Sequence, residues 1–554
     1  MKTFSVLNRQ QMITDLQQEV LDLFIIGGGI TGAGIALDAV TRGLSVGLAE
    51  MQDFAEGTSG RSTKLVHGGL RYLKQFQLKE VAELGRERAI VYENGPHVTT
   101  PIRMLLPFHK GGTFGPYTTL LGLKVYDILA GVKKGERRFM LSAAETIQHE
   151  PLVKQEGLLG GGVYVEYRTD DARLTIEVIK AAAERGALPL NYMKVVGIDN
   201  RNSAYSEVTL EDQLTCKKIV IKAKKVVNAA GPWVDDVRKL DGELRKKHMI
   251  LSKGVHIVFD EKNFPLKHAI YFDVADGRMI FAIPRAGKIY VGTTDTFHKG
   301  DPRDMNITED DRQYLLDAIH YMFPKLELSA LQIESGWAGV RPLIYEEGKN
   351  PSEISRKDEI WQSDSGLITI AGGKLTGYRK MAEKVVDLIC QQLNVEFGHM
   401  SGPCITKHLP ISGGDLSGSK FFNHYVQAQI EKGVKIGLTV EESEKLARLY
   451  GTNTVKVYRF IEEATGVLPA LVYGQLYYGM YYEAVVKPVD FFIRRTGALF
   501  FDIDFVRTHQ VGVIEEMAAR LQWTTEQKVA STRQLEDALA NVKTPKRHDV
   551  SGFS

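Results

Sequence analysis

The chain has 554 residues, 44% of them hydrophobic and 25% charged, with a formal net charge of +2. That length exceeds what one hydrophobic core ordinarily supports, so two or more domains are expected, and the composition excludes a disordered or fibrous chain. A charge so near balance gives no global attraction to nucleic acid, so any anion binding must come from local clusters.

The N-terminus, MKTFSVLNRQQMITDLQQEV, lacks an apolar core followed by a small-residue cleavage site and does not read as a secretory signal. Residues 22–26 form an apolar run, 27–32 a glycine turn, 33–42 a helical pattern and 45–50 a second apolar run, which together predict a strand-helix-strand unit. Residues 225–230, KVVNAA, predict a buried strand ending at Gly231 and Pro232. Residues 367–371 predict another, followed by Gly372, Gly373 and a helical pattern over 374–388. Between them, residues 75–165 mix helix and loop. Residues 250–300 alternate apolar and polar positions, with hairpin signals at Asp276-Gly277 and Ala286-Gly287. Beyond residue 410 amphipathic helices are predicted, over 439–450 and 454–463 among others, as a separate helical domain.

Gly27, Gly29 and Gly32 fit the GxGxxG spacing: the first allows a tight turn, the second a close approach of backbone to pyrophosphate, the third close packing of helix on sheet. Ile30 and Thr31 open the helix whose N-terminus faces the phosphates. Glu50 ends the second strand, where a carboxylate accepts ribose hydroxyls. The unit alone does not separate NAD from FAD. The run that follows, Gly57 to Tyr72, is dense in small, hydroxyl and basic residues and suits the flank of a large phosphorylated cofactor.

Three blocks now carry a resemblance: FIIGGGITGAGIALDAVTRGL, then TSGRSTKLVHGGLRYL, and AGVRPL followed by AGGKLTGYRKMAE. With VVNAAGPWVD, KGVHIV, YVGTTDT and the tail EAVVKPVDFFIRRTGALF, the chain resembles the FAD-dependent glycerol-3-phosphate dehydrogenases of the aerobic, respiratory type over nearly its whole length. Gly60 departs from the pattern, which more usually has serine there. The resemblance implies an α/β fold with a Rossmann-like FAD-binding domain of the glutathione-reductase and D-amino-acid-oxidase type, an inserted antiparallel-sheet substrate domain and an α-helical C-terminal domain. The expected limits are 1–74, 166–248 and 350–408 for the first, 75–165 and 249–349 for the second, and 409–554 for the third.

It further implies FAD as cofactor, sn-glycerol 3-phosphate as substrate, and membrane quinone as acceptor in glycerol catabolism. An oxidase that passes electrons to oxygen is the alternative. The expected flavin contacts add Thr58, Ser59, Ser62, Lys64, Leu65, His67, Val196, Ala230, Gly231, Gly373, Lys374, Leu375 and Thr376. Arg71, Tyr72, Arg341, Arg356 and Lys374 match substrate positions, and a phosphate dianion needs such charge-assisted bonds. On composition alone Arg356 is equally readable as a surface ion pair. His256 is the candidate base, with a pKa placed near neutrality, and Arg341 assists at the same oxygen. Without the resemblance, a hydrogen-bonded core histidine is the better reading of His256.

Three cysteines, Cys216, Cys390 and Cys404, have no CxxC pair and no zinc-site spacing, so no metal is expected. The apolar window 468–486 is interrupted by Pro469, Gly474, Gln475, Gly479 and Glu483, so any membrane contact is expected to be peripheral, at the cytoplasmic face. The basic and apolar segment 117–138 and the run 245–248 are the candidate surfaces. A homodimer is a further expectation.

Overall fold

The structure is a computed structural model and describes residues 4–67, 78–115, 119, 120, 124, 135, 137–242, 247–346 and 357–543. Arg71, Tyr72 and Arg356, most of 117–138, residues 245 and 246, and 544–554 lie outside the described residues.

The strand Val20–Ile26 is apolar apart from Asp22 and is buried from Leu21 onward, which is the texture of a parallel strand covered on both faces. It pairs in parallel with Val46–Ala49 on one side and Lys218–Asn228 on the other. Six strands run in the order Glu359–Gln362, Ile368–Ala371, Lys218–Asn228, Val20–Ile26, Val46–Ala49, Leu188–Leu190, and the hairpin Met193–Asp199 with Ser206–Asp212 is attached to Lys218–Asn228. The helix Ile30–Thr41 packs against both Asp171–Ala183 and Tyr378–Phe397.

A second, ten-stranded sheet is antiparallel except where Ala269–Asp273 meets Thr99–His109. Its backbone is the long pair Lys247–Asp260 with Ile333–Glu346. The turn between Met279–Arg285 and Lys288–Gly292 places Ala286 at φ +49° and Gly287 at φ +76°, the two left-handed positions of a tight hairpin. Leu65–Val66, from the segment read as part of the nucleotide unit, pairs instead with Leu158–Thr169 in this sheet. Leu158–Thr169 runs past 165 and Lys247–Asp260 begins ahead of 249, because long strand pairs continue as far as their partners do.

The C-terminal helices include Val440–Tyr450, capped by reciprocal bonds between Thr439 and Glu442, and Thr454–Glu462. Leu446, Tyr450, Val457, Tyr458 and Ile461 of these helices form a buried cluster with Leu438 and Tyr478. Val472, Leu476, Phe491, Phe492 and Leu499 share one buried cluster with Val258, Tyr290 and Trp337 of the second sheet. Among the described residues no helix is long and apolar enough to cross a membrane; Ala470–Tyr482 has 13 residues.

Candidate active site

One cavity of about 950 Å³ runs between the two sheets, near the upper end of the range for small-molecule sites. At one end it is walled by backbone. Gly27 sits at φ +113°, where a Cβ would come within 2.5 Å of the Ala229 carbonyl oxygen. At Gly32 a Cβ would meet the Gly27 carbonyl at 2.0 Å, so the helix packs on the turn only because that position is bare. Gly32 therefore shapes the turn without lining the cavity. Gly29 has Ser59 Oγ 3.0 Å from where its Cβ would be, and Ser59 Oγ accepts the Ile30 amide at 2.9 Å.

Glu50 is fixed by two amides: Gly28 donates to Oε2 at 2.7 Å and Gln52 to Oε1 at 2.9 Å. Burial outweighs both bonds and pushes this carboxyl up to about 7. Ile30, Thr31, Thr58, Ser59, Ser62, Leu65, Val195, Val196, Ala230 and Gly231 also line this cavity. Lys64 does not. Its side chain is buried, with Nζ 2.6 Å from Asp171 Oδ1, bonded to the Gly60 carbonyl at 3.2 Å and lying over the Trp337 ring. Gly60 itself is tied to tight packing, since a Cβ there would approach the Ala55 carbonyl oxygen to 2.4 Å.

The other end is built from side chains delivered by distant segments. Gly372 and Gly373, at φ +74° and +84°, turn the chain from the strand Ile368–Ala371 into Lys374, Leu375 and Thr376. Thr376 Oγ1 accepts the His67 amide and donates to the His67 carbonyl, both at 3.1 Å, pinning His67 to that turn. Burial, with help from Lys374, Arg88 and Arg341, brings the His67 imidazole down to about 3. Arg341 lies opposite Ser252 in the strand pair and donates to Thr293 Oγ1 at 3.1 Å, with Asp295 3.7 Å away. It occupies space that Gly254 leaves open, where a Cβ would stand 2.8 Å from Arg341 Nη2.

His256 is 1% exposed, stacked on Trp337 at 4.8 Å and 11°, with Nε2 3.1 Å from Thr63 Oγ1 and Nδ1 buried without a hydrogen-bond partner. Its pKa is not near neutral, as the sequence reading had it. Burial, then Arg341 and Lys64, hold it well below the ordinary histidine value.

The cavity thus gathers Gly27, Gly29, Glu50, His67, His256, Arg341, Gly373 and Lys374. Residues that sequence reasoning did not single out also line it, notably Glu56, Arg61, Thr63, Trp233 and Asp295. Arg61 stood inside the quoted run TSGRSTKLVHGG, where a guanidinium among glycine and hydroxyl residues was the available signal. The donor set fits FAD: a bare glycine turn and helix start, a fixed carboxylate, and a second glycine turn at the far end. Of the basic run 245–248, the described members are engaged, Lys247 with Glu359 at 2.6 Å and His248 against Tyr345.

Residues 22–379 match the family model described as FAD dependent oxidoreductase, and 404–528 that described as the C-terminal domain of alpha-glycerophosphate oxidase. The chain is 57% identical over 547 residues to the aerobic glycerol-3-phosphate dehydrogenase of Bacillus subtilis, covering 98% of this chain and 99% of that one. It is 57% identical to the Staphylococcus haemolyticus protein of the same name, over 97% of each. The solved structure of glycerol-3-phosphate dehydrogenase from Bacillus halodurans, complexed with FAD, matches at 46% identity with a TM-score of 0.85 and full coverage of both chains. L-alpha-glycerophosphate oxidase from Mycoplasma pneumoniae shares the fold, at 20% identity and a TM-score of 0.55 over 67% of this chain and 95% of its own. With FAD as its cofactor, the chain belongs to the FAD-dependent oxidoreductases, in the family of the aerobic glycerol-3-phosphate dehydrogenases.

Proposed function

We propose that the chain oxidises sn-glycerol 3-phosphate to dihydroxyacetone phosphate and passes the electrons to membrane quinone in glycerol catabolism, working as a peripheral protein at the cytoplasmic face of the membrane. The observation that carries this reading is the convergence of Arg341, Lys374 and His256, from three separated segments, on the cavity that holds the glycine turn. A phosphate dianion needs cations held in a sheltered site, and the rigid strand pair bearing Arg341 is suited to offer one.

Bound FAD supplies the acceptor for the hydride that leaves C2. The chain holds the phosphate with Arg341 and Lys374, joined in this reading by Arg71 and Arg356, while Tyr72 orients the substrate. The C2 hydroxyl proton goes to the His256 imidazole, which is neutral at physiological pH. Protonation there is opposed by the neighbouring Arg341, and a phosphate dianion in the same cavity offsets that repulsion. Trp337 and Thr63 fix the ring. Val195 and Val196 would hold the adenine, and His67 with the Gly373–Thr376 turn would hold the flavin ring.

A second reading has one observation in its favour: residues 404–528 match a domain named after alpha-glycerophosphate oxidase, so oxygen is the competing acceptor. Anaerobic mixing with sn-glycerol 3-phosphate is expected to bleach the bound flavin, and rapid mixing of the reduced protein with a quinone analogue or oxygen then separates the acceptors. No bleaching overturns the proposal; fast peroxide formation with slow quinone reduction replaces it by the oxidase.

A further inference from the structure

Two consecutive arginines from the C-terminal helices reach beneath the loop that walls the nucleotide end of the cavity. Asp53 is fully buried in that loop. Its Oδ2 accepts Arg494 Nε at 2.6 Å and Arg495 Nη1 at 2.8 Å, and its Oδ1 accepts Arg495 Nη2 at 2.9 Å and Asn191 Nδ2 at 2.9 Å. Arg494 Nη2 continues to Asp490 Oδ1 at 2.7 Å and to Glu56 Oε2 at 3.4 Å, and Glu56 Oε2 also accepts the Asp53 amide at 3.2 Å. Burial alone would raise the Asp53 pKa, but Arg495 and Arg494 outweigh it and hold the carboxylate ionised. Asp490–Arg495 is wound as a π-helix, a wider turn than an α-helix. Both guanidinium groups meet one carboxylate.

The loop is in turn joined to the glycine turn. Ala55 donates its amide to the Gly28 carbonyl at 3.1 Å, and Ser59 Oγ accepts that of Ile30 at 2.9 Å. Glu56, Gly57, Thr58, Ser59 and Arg61 face the cavity from the same loop. A continuous set of bonds therefore runs from Arg494 and Arg495 through Asp53 and Glu56 to the backbone that meets the pyrophosphate.

A second ionic contact joins the same C-terminal helices to the nucleotide unit at Glu483, whose backbone carbonyl also accepts Arg495 Nε at 3.1 Å and Nη2 at 2.8 Å. Arg173 and Lys180 of the helix Asp171–Ala183 bond to Glu483, and Lys180 Nζ also lies 2.5 Å from the Tyr478 hydroxyl. Lys180, whose bonds go to Glu177, Glu483 and Tyr478 and not to the loop 51–61, supplies the control, since a general fastening of the two units engages it as well as Arg494.

We propose that the C-terminal helices are part of the cofactor-holding machinery, with Arg494 and Arg495 as positioning residues that set the loop 51–61 and the glycine turn for FAD. The proposal rests on the reading of this cavity as the FAD site. Holoenzyme carrying Arg494→Met is compared with Lys180→Met by following the rise in flavin fluorescence on dilution, at a temperature where circular dichroism shows both folded. FAD release is expected to quicken about tenfold or more in Arg494→Met, the scale of one or two lost charge-assisted bonds, and to change far less in Lys180→Met. Arg494→Lys keeps the charge without the fork and should fall between wild type and Arg494→Met; if Arg494→Met does not fold, it carries the comparison. Equal release from the position 494 and position 180 variants, or release from the position 494 variant at the wild-type rate, overturns the proposal. Wild-type protein that holds no FAD overturns the reading of the cavity instead.

Discussion

The two ends of the cavity are built on opposite plans. The nucleotide end is made largely of backbone, from the turn at Gly27 to the loop at Arg61 with Ala229 to Gly231 beside it, and works because side chains are missing where a Cβ would strike a carbonyl. The far end is made of long side chains, His256, Arg341 and Lys374, brought together from segments 85 and 33 residues apart in the chain. The first plan suits a large constant cofactor and the second a small substrate whose charge has to be matched group by group. Damage at the two ends should therefore separate into loss of cofactor and loss of substrate.

The largest expected effect is at Gly32. Gly32→Val puts a branched side chain where even a Cβ would lie 2.0 Å from the Gly27 carbonyl. It should leave the purified protein with on the order of a tenth or less of wild-type flavin, read from the visible absorbance. Flavin retained at the wild-type level would break the contrast at its stronger end.

Gly254→Ala is the counterpart at the far end. Its Cβ would crowd Thr293 Oγ1 and Arg341 Nη2, at 2.4 and 2.8 Å, and displace the guanidinium. The predicted result is full flavin occupancy with kcat/KM for sn-glycerol 3-phosphate down roughly ten- to a hundredfold, the cost of misplacing a positioning group by about 1 Å. Loss of flavin together with activity would show that the two ends are not independent.

The smallest effect concerns Glu50. Its folded pKa of about 7 lies above the ordinary value of 4.5, so ionising it opposes folding of the cofactor-free protein. This contribution favours the fold below about pH 4.5 and is lost as the pH rises through 7. Cofactor-free Glu50→Gln should thus gain about 1–2 kcal/mol on the wild type at pH 8 relative to pH 5, discounted for the solvent that reaches the carboxyl from the cavity. The same variant should bind FAD more weakly. A stability difference independent of pH would contradict the raised pKa.

The contrast also explains what could be read from the sequence. Gly27, Gly29, Gly32 and Glu50 lie within 24 residues, and their spacing reports strand, turn, helix and strand directly. His256, Arg341 and Lys374 have no common spacing, because their meeting depends on how Lys247–Asp260 pairs with Ile333–Glu346 and where Ile368–Ala371 ends. Only resemblance to a family brought them together. Lys64 was read toward the cofactor from its place in the basic run, yet the buried carboxylate of Asp171, 107 residues away, draws its ammonium elsewhere. The low pKa of His256 was hidden for the same reason, since Arg341 and Lys64 approach it only in the folded chain. Amphipathic periodicity in the C-terminal helices does not reveal what covers each apolar face: Leu446, Tyr450, Val457 and Ile461 pack together, whereas Val472, Leu476 and Phe491 pack on the sheet carrying Trp337.

The central claim is that side chains at the far end select a phosphate while the backbone end holds the nucleotide part of the cofactor. The most direct measurement is the rate of anaerobic flavin reduction by sn-glycerol 3-phosphate and by glycerol, for wild type and Arg341→Ala at matched flavin content. The account predicts a wild-type preference for the phosphate ester that falls by about a hundredfold or more in Arg341→Ala, the scale of one charge-assisted contact made in the transition state. A preference unchanged by the substitution would contradict it.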